Sequence, residues 1–206
     1  MFKELKSLCE ELENEFSLIE PDRKKHLLAL SQFFQKKFEA KDTARAIVIC
    51  THNSRRSHLG QLWLSVGAEY YGFPKIETFS GGTEATAFNP RAVSAAKKAG
   101  FKIETKNPEA TNPLYKIRWN AEMDSYQSFS KKFDDSPNPT IDFAAIMVCT
   151  SADEGCPFVP GTSFRIALPY DDPKAFDDTD LEAAKYTERL RQIGREMLWM
   201  FSMVKV

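Results

Sequence analysis

Cys50 and Arg56 stand six positions apart in the stretch Cys50-Thr-His-Asn-Ser-Arg-Arg56-Ser57. Five residues between a cysteine and an arginine make a loop that can wrap one tetrahedral oxyanion. The loop's N–H groups point inward, and the arginine closes the ring as a planar two-pronged donor. Asn53 tolerates the left-handed backbone that so tight a loop needs. The residues expected to hold the anion are Thr51, His52, Asn53, Ser54, Arg55, Arg56 and Ser57. Positive potential favours the thiolate of Cys50, Ser57 can donate a hydrogen bond to it, and a thiolate is a competent nucleophile. The plainer alternative is a buried cysteine at a strand end before an ordinary helix.

Two further sets of residues carry chemistry. Cys149-Thr-Ser-Ala-Asp-Glu-Gly-Cys156 holds two more thiols, too far apart for neighbouring turns of a helix. A short flexible segment between them would still allow the thiols to meet. The bland alternative is a buried strand-end cysteine and a loop thiol. Asp171-Asp172-Pro173 is the other set. Pro173 restricts Asp172 to an extended backbone, and an aspartate held this way can give a proton to a leaving oxygen. Asp-Pro is also a common turn, and Asp177-Asp178 nearby shows how abundant acids are here.

These residues need elements to deliver them. Ile47, Val48 and Ile49 predict a buried strand over 45–50 that ends on Cys50. A helix is expected from about 57 to 71, with its positive N-terminal end facing the anion. A second strand follows at about 75–80, then Ser80-Gly-Gly-Thr as a turn. Asn89-Pro90 opens a helix through Lys98, and Gly100 ends it. Residues 101–104 read as a short third strand and Ile141–Cys149 as a buried fourth. A last helix runs from about Leu181 to Phe201, with Ala184, Leu190, Ile193, Met197 and Met200 toward the core. Such alternation implies a parallel sheet covered by helices on both faces, with ligands at the carboxyl ends of its strands. Cys50 and Cys149 should share that edge.

Two regions break the alternation. Residues 1–42 carry Leu5, Leu8 and Leu12, then Leu27, Leu28, Leu30, Phe33, Phe34 and Phe38, at helical spacing. They predict a helical hairpin, packed on the main domain or used as a dimer face, with Cys9 as a buried small hydrophobe. In the insertion at about 105–140, Tyr115–Trp119 and Tyr126–Phe129 suit an antiparallel hairpin. The expected organisation is a helical extension over 1–42 and one catalytic domain over 43–206.

Composition narrows the class. The chain has 206 residues, 42% of them hydrophobic, and a formal net charge of -1. That gives no general electrostatic case for nucleic acid or for an anionic membrane. No apolar stretch reaches the length of a membrane span, and the first residues lack a signal-peptide core. A cytoplasmic setting is expected, where thiols stay reduced and are catalytic or metal-binding more often than disulfide-bonded. Zinc fits poorly, because short paired Cys/His spacings are missing. No metal or other cofactor is expected.

Taken together, the Cys-x5-Arg-Ser loop, its flanking strand and helix, and an Asp-Pro loop before the final helix resemble the low-molecular-weight protein tyrosine phosphatases and the related thioredoxin-coupled arsenate reductases. The resemblance spans residues 45 to about 201, with the N-terminal helices and roughly residues 105–140 outside it. It implies an α/β three-layer sandwich on a central four-stranded parallel sheet. It also implies that Cys50 is the nucleophile, Arg56 the oxyanion clamp and Asp172, rather than Asp171, the general acid. In the reductases a second and a third thiol relay electrons, and Cys149 and Cys156 are similar to these in spacing and in the strand before them. Ser80-Gly-Gly-Thr-Glu-Ala-Thr-Ala-Phe-Asn-Pro-Arg91 is similar to the reductase branch as well.

Some positions depart from the family pattern. His52 replaces a usual glycine, and Arg55 replaces a usual second cysteine, either adding positive charge or pointing to solvent. Gln61 stands where an acid near a cation is common, so potassium is not expected. The residues after the Asp-Pro lack the tyrosine frequent in tyrosine phosphatases. Tyr115, Trp119 and Tyr126 are candidates either for a substrate wall or for hairpin packing. The resemblance implies arsenate reduction, with a phosphate- or arsenate-type oxyanion and a thioredoxin-like thiol reductant as partners. Phosphomonoester hydrolysis, with a phosphoprotein as candidate substrate, is the second reading, and a non-catalytic oxyanion-binding module the third. The intact Cys50, Arg56 and Asp172 set speaks against the third.

Overall fold

A computed structural model describes residues 1–73, 76–155 and 158–205. Cys156, expected as the third thiol, lies outside the described residues. The central sheet has four parallel strands in the order β2-β1-β6-β7, formed by β1 (Ala44–Cys50), β2 (Ile76–Gly82), β6 (Phe143–Met147) and β7 (Thr162–Ala167). The inner strands β1 and β6 are buried almost throughout. Their near-continuous apolar runs are what a parallel sheet covered on both faces requires. The expected three-layer α/β sandwich is therefore present.

The membership of the sheet differs from the sequence expectation. Residues 102–105 form a strand, β3 (Lys102–Thr105), but it pairs antiparallel with β4 (Tyr115–Arg118), which pairs in turn with β5 (Tyr126–Ser128). The expected hairpin is thus part of a separate three-stranded sheet. The fourth parallel strand is β7, at the sheet's edge, where Arg165 sits mid-strand and most residues are only half-buried. The expected turn at Ser80-Gly-Gly is the end of β2, since Gly81 and Gly82 still pair with Ile49 and Cys50.

Helix α3 (Arg56–Tyr70) packs on β1 and β2 and against α6 (Glu182–Ser202). The two helices meet where Gly194 faces Trp63; a Cβ there would stand 2.5 Å from the indole. Leu190, Ile193, Met197 and Met200 are buried as expected, whereas Ala184 is exposed. Helix α4 (Pro90–Lys98) starts with Pro90 in its first turn and Asn89 capping the Arg91 N–H at 2.9 Å.

The N-terminal helices α1 (Lys3–Asn14) and α2 (Pro21–Glu39) pack on this body. Both lie against α6, and α2 also reaches β7. Leu5, Cys9, Leu12, Leu27, Leu30 and Phe34 are all fully buried. Phe34 sits 5.4 Å from Phe201, and Phe33 stacks on Phe164 at 5.3 Å. Glu15 bridges Arg191 at 2.5 Å and Arg195 at 3.0 Å. Among the described residues, no helix is long and apolar enough to cross a membrane.

Candidate active site

Strands β1 and β6 run in register, Ile49 opposite Met147, and the ladder continues through Val148 N–H to Ile49 O at 2.8 Å. Cys50 and Cys149 therefore leave the sheet along one edge, as the alternation predicts. The chain then turns through 51–55 and enters α3 at Arg56. Asn53 takes the left-handed conformation at φ 43°.

The carbonyls of this loop are held from outside. Cys50 O accepts from Thr83 N–H, Thr51 O from Glu84 N–H, and Ser54 O from Asn89 N–H. His52 O accepts from the hydroxyls of Thr86 and Ser130. Asn53 O receives His58 Nε2 at 2.9 Å. These bonds fix the backbone of the loop from outside. Gly82 makes this possible. A Cβ there would fall 2.2 Å from Glu84 O, 2.6 Å from Thr51 O and 2.7 Å from Asn53 N.

Inside the ring, Cys50 Sγ lies 3.1 Å from Ser57 Oγ. Asn53 Nδ2 donates to that oxygen at 2.9 Å, and Asn53 Oδ1 accepts from the Lys131 N–H at 2.9 Å. Lys131 belongs to the inserted region, so the insertion braces the loop. Tyr115 is buried; Trp119 and Tyr126 pack near one another and line a hollow of about 700 Å³ beside the start of β2. Of the two expected uses of these aromatics, packing is the one observed.

Arg56 donates from Nη1 to Tyr170 O and from Nη2 to Asp172 Oδ2, both at 2.7 Å. Its Nε is buried and has no protein partner among the described residues. Asp172 caps the short 3-10 turn Pro173–Phe176, its Oδ1 accepting from Lys174 N–H at 3.0 Å. Asp171 is almost fully exposed and pairs only loosely with Arg189 at 3.4 Å. The structure thus brings Arg56 to Asp172 and leaves Asp171 outside.

Cys149 is buried, 3.3 Å from the hydroxyl of Thr51. The segment after it is not the open flexible stretch expected from sequence but a short helix, α5 (Thr150–Gly155). Arg165 of β7 holds that helix through Asp153, at 2.5 Å to the carboxylate. The side chain of His52 is exposed and lies 3.7 Å from Glu84. Gln61 is buried and donates to Thr78 O at 2.7 Å and to the Tyr126 hydroxyl.

Sequence reasoning missed several groups. His58 is fully buried, stacks on Phe88 at 4.1 Å, and places Nδ1 by the hydroxyls of Ser80 and Ser128. Its Nε2 faces a carbonyl, so Nε2 carries the proton and Nδ1 accepts. Burial and then the charge of Lys131 push its pKa down to about 3, so the ring is neutral. Burial likewise pushes the Lys131 amine down to about 8. Nor does Arg55 point to solvent. It donates to Tyr186 Oη at 2.7 Å and to Asp177 at 3.1 Å. A lone histidine in an apolar helix was the visible hint for His58; Arg55 was expected at the anion, and nothing local signalled its bonds to Tyr186 and Asp177.

No protein-family model matches the chain. An arsenate reductase from Brevibacillus brevis is 30% identical over 125 residues, 61% of this chain and 73% of that protein. An arsenate reductase from Halalkalibacterium halodurans is 27% identical over 150 residues, 72% of this chain and 88% of its own length. Among solved structures, an arsenate reductase in the phosphate binding state superposes with a TM-score of 0.50 at 15% identity, over 79% of this chain and 99% of that one. The YwlE mutant from Bacillus subtilis gives 0.51 at 12% identity, with the same coverage. The fold, the order of the motifs and these relatives agree: the chain belongs to the superfamily of low-molecular-weight protein tyrosine phosphatases and arsenate reductases.

Proposed function

We propose that the chain is a cysteine-dependent oxyanion enzyme that reduces arsenate. The observation that carries the oxyanion chemistry is the loop 50–57: carbonyls tied outward, Cys50 beside Ser57, and the buried Nε of Arg56, which has no partner among the described residues. Residues 43–206 make up the catalytic unit, and residues 1–42 are an extension packed on it.

The thiolate of Cys50 attacks arsenic. Asp172 gives its proton to the departing oxygen, which leaves as water, and a sulfur–arsenic bond replaces the arsenic–oxygen bond. The ring amides and Arg56 hold the charge that builds on the remaining oxygens. Cys149 then attacks the sulfur of Cys50. A disulfide forms, the sulfur–arsenic bond breaks, and its electron pair leaves with arsenic as arsenite. Cys156 then attacks the Cys149 sulfur of that disulfide, a Cys149–Cys156 bond forms as the Cys50 thiolate leaves, and an external dithiol of the thioredoxin kind reduces the Cys149–Cys156 bond. The location of Cys149 beside Thr51, the residue after the nucleophile, supports this order.

A phosphatase reading rests on a separate observation. Cys50, Arg56 and Asp172 form a complete set without Cys149, so water can hydrolyse a phosphocysteine at the same ring. One experiment separates the two. The pure protein is assayed on arsenate with a thioredoxin system, and on an aryl phosphate without it. Cys149→Ser and Cys156→Ser are expected to stop multiple-turnover arsenate reduction and to spare any aryl-phosphate hydrolysis. Arsenate-treated protein should show a disulfide between two of Cys50, Cys149 and Cys156 by mass spectrometry. If no disulfide forms and both variants behave as wild type, the reductase reading is wrong.

A further inference from the structure

Three side chains close a ring of hydrogen bonds beside the anion loop. Arg55, the last residue before α3, donates from Nε to Tyr186 Oη at 2.7 Å and from Nη2 to Asp177 Oδ2 at 3.1 Å. Tyr186, on α6, donates to Asp177 Oδ1 at 2.8 Å. Both carboxylate oxygens of Asp177 are thereby used. The hydroxyl of Tyr186 accepts one bond and donates the other, so each member completes the next. Arg91 of α4 adds a fourth side chain, 3.8 Å from Asp177 Oδ1.

The ring has a directional consequence. Asp177 ends the 3-10 turn Pro173–Phe176, and Asp172 begins it. The carboxylate of Asp172 is fixed at one end by Arg56, in the loop, at 2.7 Å. The ring fixes the other end of the same turn to Arg55, the neighbouring loop residue. Arg55 Nε also lies 4.0 Å from Asp172 Oδ1. Two adjacent arginines therefore clamp one short turn at both its ends. The ring is enclosed, with the Arg55 side chain 11% and that of Asp177 18% exposed, so solvent screens it far less than a surface pair.

We propose that Arg55, Asp177 and Tyr186 are positioning residues for catalysis: their ring holds the turn that carries Asp172 at the height over the anion loop from which its proton reaches the leaving oxygen. The inference rests on Asp172 being the general acid, as proposed above. None of the three need touch the substrate. Without the ring, Asp172 keeps its bond to Arg56, but the far end of the turn loses the side-chain bonds that tie it to the loop. A misplacement of about 1 Å is enough to lower the rate by a large factor.

The test is a double-mutant cycle on kcat, with the full chain and whichever of arsenate or aryl phosphate the wild type turns over. Tyr186→Phe removes only the hydroxyl and keeps the buried ring; Asp177→Asn keeps shape and removes charge. Each is expected to lower kcat by about tenfold with KM unchanged. Combined with Asp172→Asn, each should cost nothing further, because the acid it positions is gone. A merely structural ring predicts the reverse, with equal losses in both backgrounds and a changed KM; that result, or a wild-type kcat in both single variants, overturns the proposal. If Asp172→Asn itself retains wild-type kcat, the acid assignment fails and the positioning role falls with it.

Discussion

Asn53 donates its side-chain N–H to Ser57 Oγ at 2.9 Å and so occupies one lone pair of that hydroxyl. With a lone pair of Oγ occupied, the hydroxyl hydrogen is free for Cys50 Sγ, 3.1 Å away. A serine oriented this way can donate to the attacking sulfur that the proposed reaction requires. Ser57→Ala should lower kcat by about tenfold to hundredfold, since a hydrogen bond to a charged group contributes about 1.5–3 kcal/mol. Phosphate binding, measured by calorimetry, should change little, because the ring amides remain.

Arg56→Lys should weaken binding of phosphate or arsenate at least about tenfold. A lysine cannot supply two parallel donors together with the buried Nε that now has no protein partner. Titration of the Cys50→Ser protein, with and without the Arg56 change, isolates binding from turnover. Equal affinities would show that the amides alone hold the anion.

Gly82→Ala should destabilise the protein by about 3 kcal/mol, at the upper end of overpacking costs, because the atoms in the way are backbone and cannot rotate aside. Gly155→Ala serves as the control, since a Cβ there meets nothing within 4 Å. Urea unfolding of both variants checks the contrast. Anion affinity should fall with stability in the first variant and stay unchanged in the second.

His58 makes stability depend on pH. An unfolded histidine takes its proton near about 6.5, whereas the buried ring resists protonation down to about 3. The unfolded chain therefore binds more protons within that window. Stability from the neutral ring is complete above about pH 6.5 and is lost as the pH falls toward 3, with about 2 kcal/mol gone by pH 5. His58→Gln should flatten the curve between pH 7 and 5. An identical slope in the two proteins would remove His58 as the cause.

The parts of the fold that the sequence reveals are those set by local pattern. Ile47, Val48 and Ile49 announce a buried strand, and Asn89-Pro90 announces a helix start, because one segment contains the whole cause. Thr162–Ala167 was not legible, because an edge strand is half-exposed and carries Arg165 where a central strand would carry an apolar residue. The strand read at 101–104 exists, at Lys102–Thr105, but was assigned to the wrong sheet, because strand propensity says nothing about partners. The same limit applies at the site. The Cys50–Arg56 loop is contiguous and was visible. The ring of Arg55, Asp177 and Tyr186 joins residues more than a hundred positions apart, and Asp177 looked like one more solvated acid.

The contact between α2 and Tyr170 has a consequence for how this chain can change over time. Arg23 lies over the Tyr170 ring at 4.5 Å and pairs with Glu196 at 2.8 Å; the Tyr170 hydroxyl donates to Glu196 at 2.7 Å. The carbonyl of that same tyrosine receives Arg56. Only one residue separates the N-terminal helices from the arginine of the anion loop. Among the described residues Arg23 is the cation paired with Glu196, so its loss would leave a buried carboxylate uncompensated. A recombination that exchanged the first 42 residues for another helical pair would succeed only if the newcomer brought a cation to the same spot.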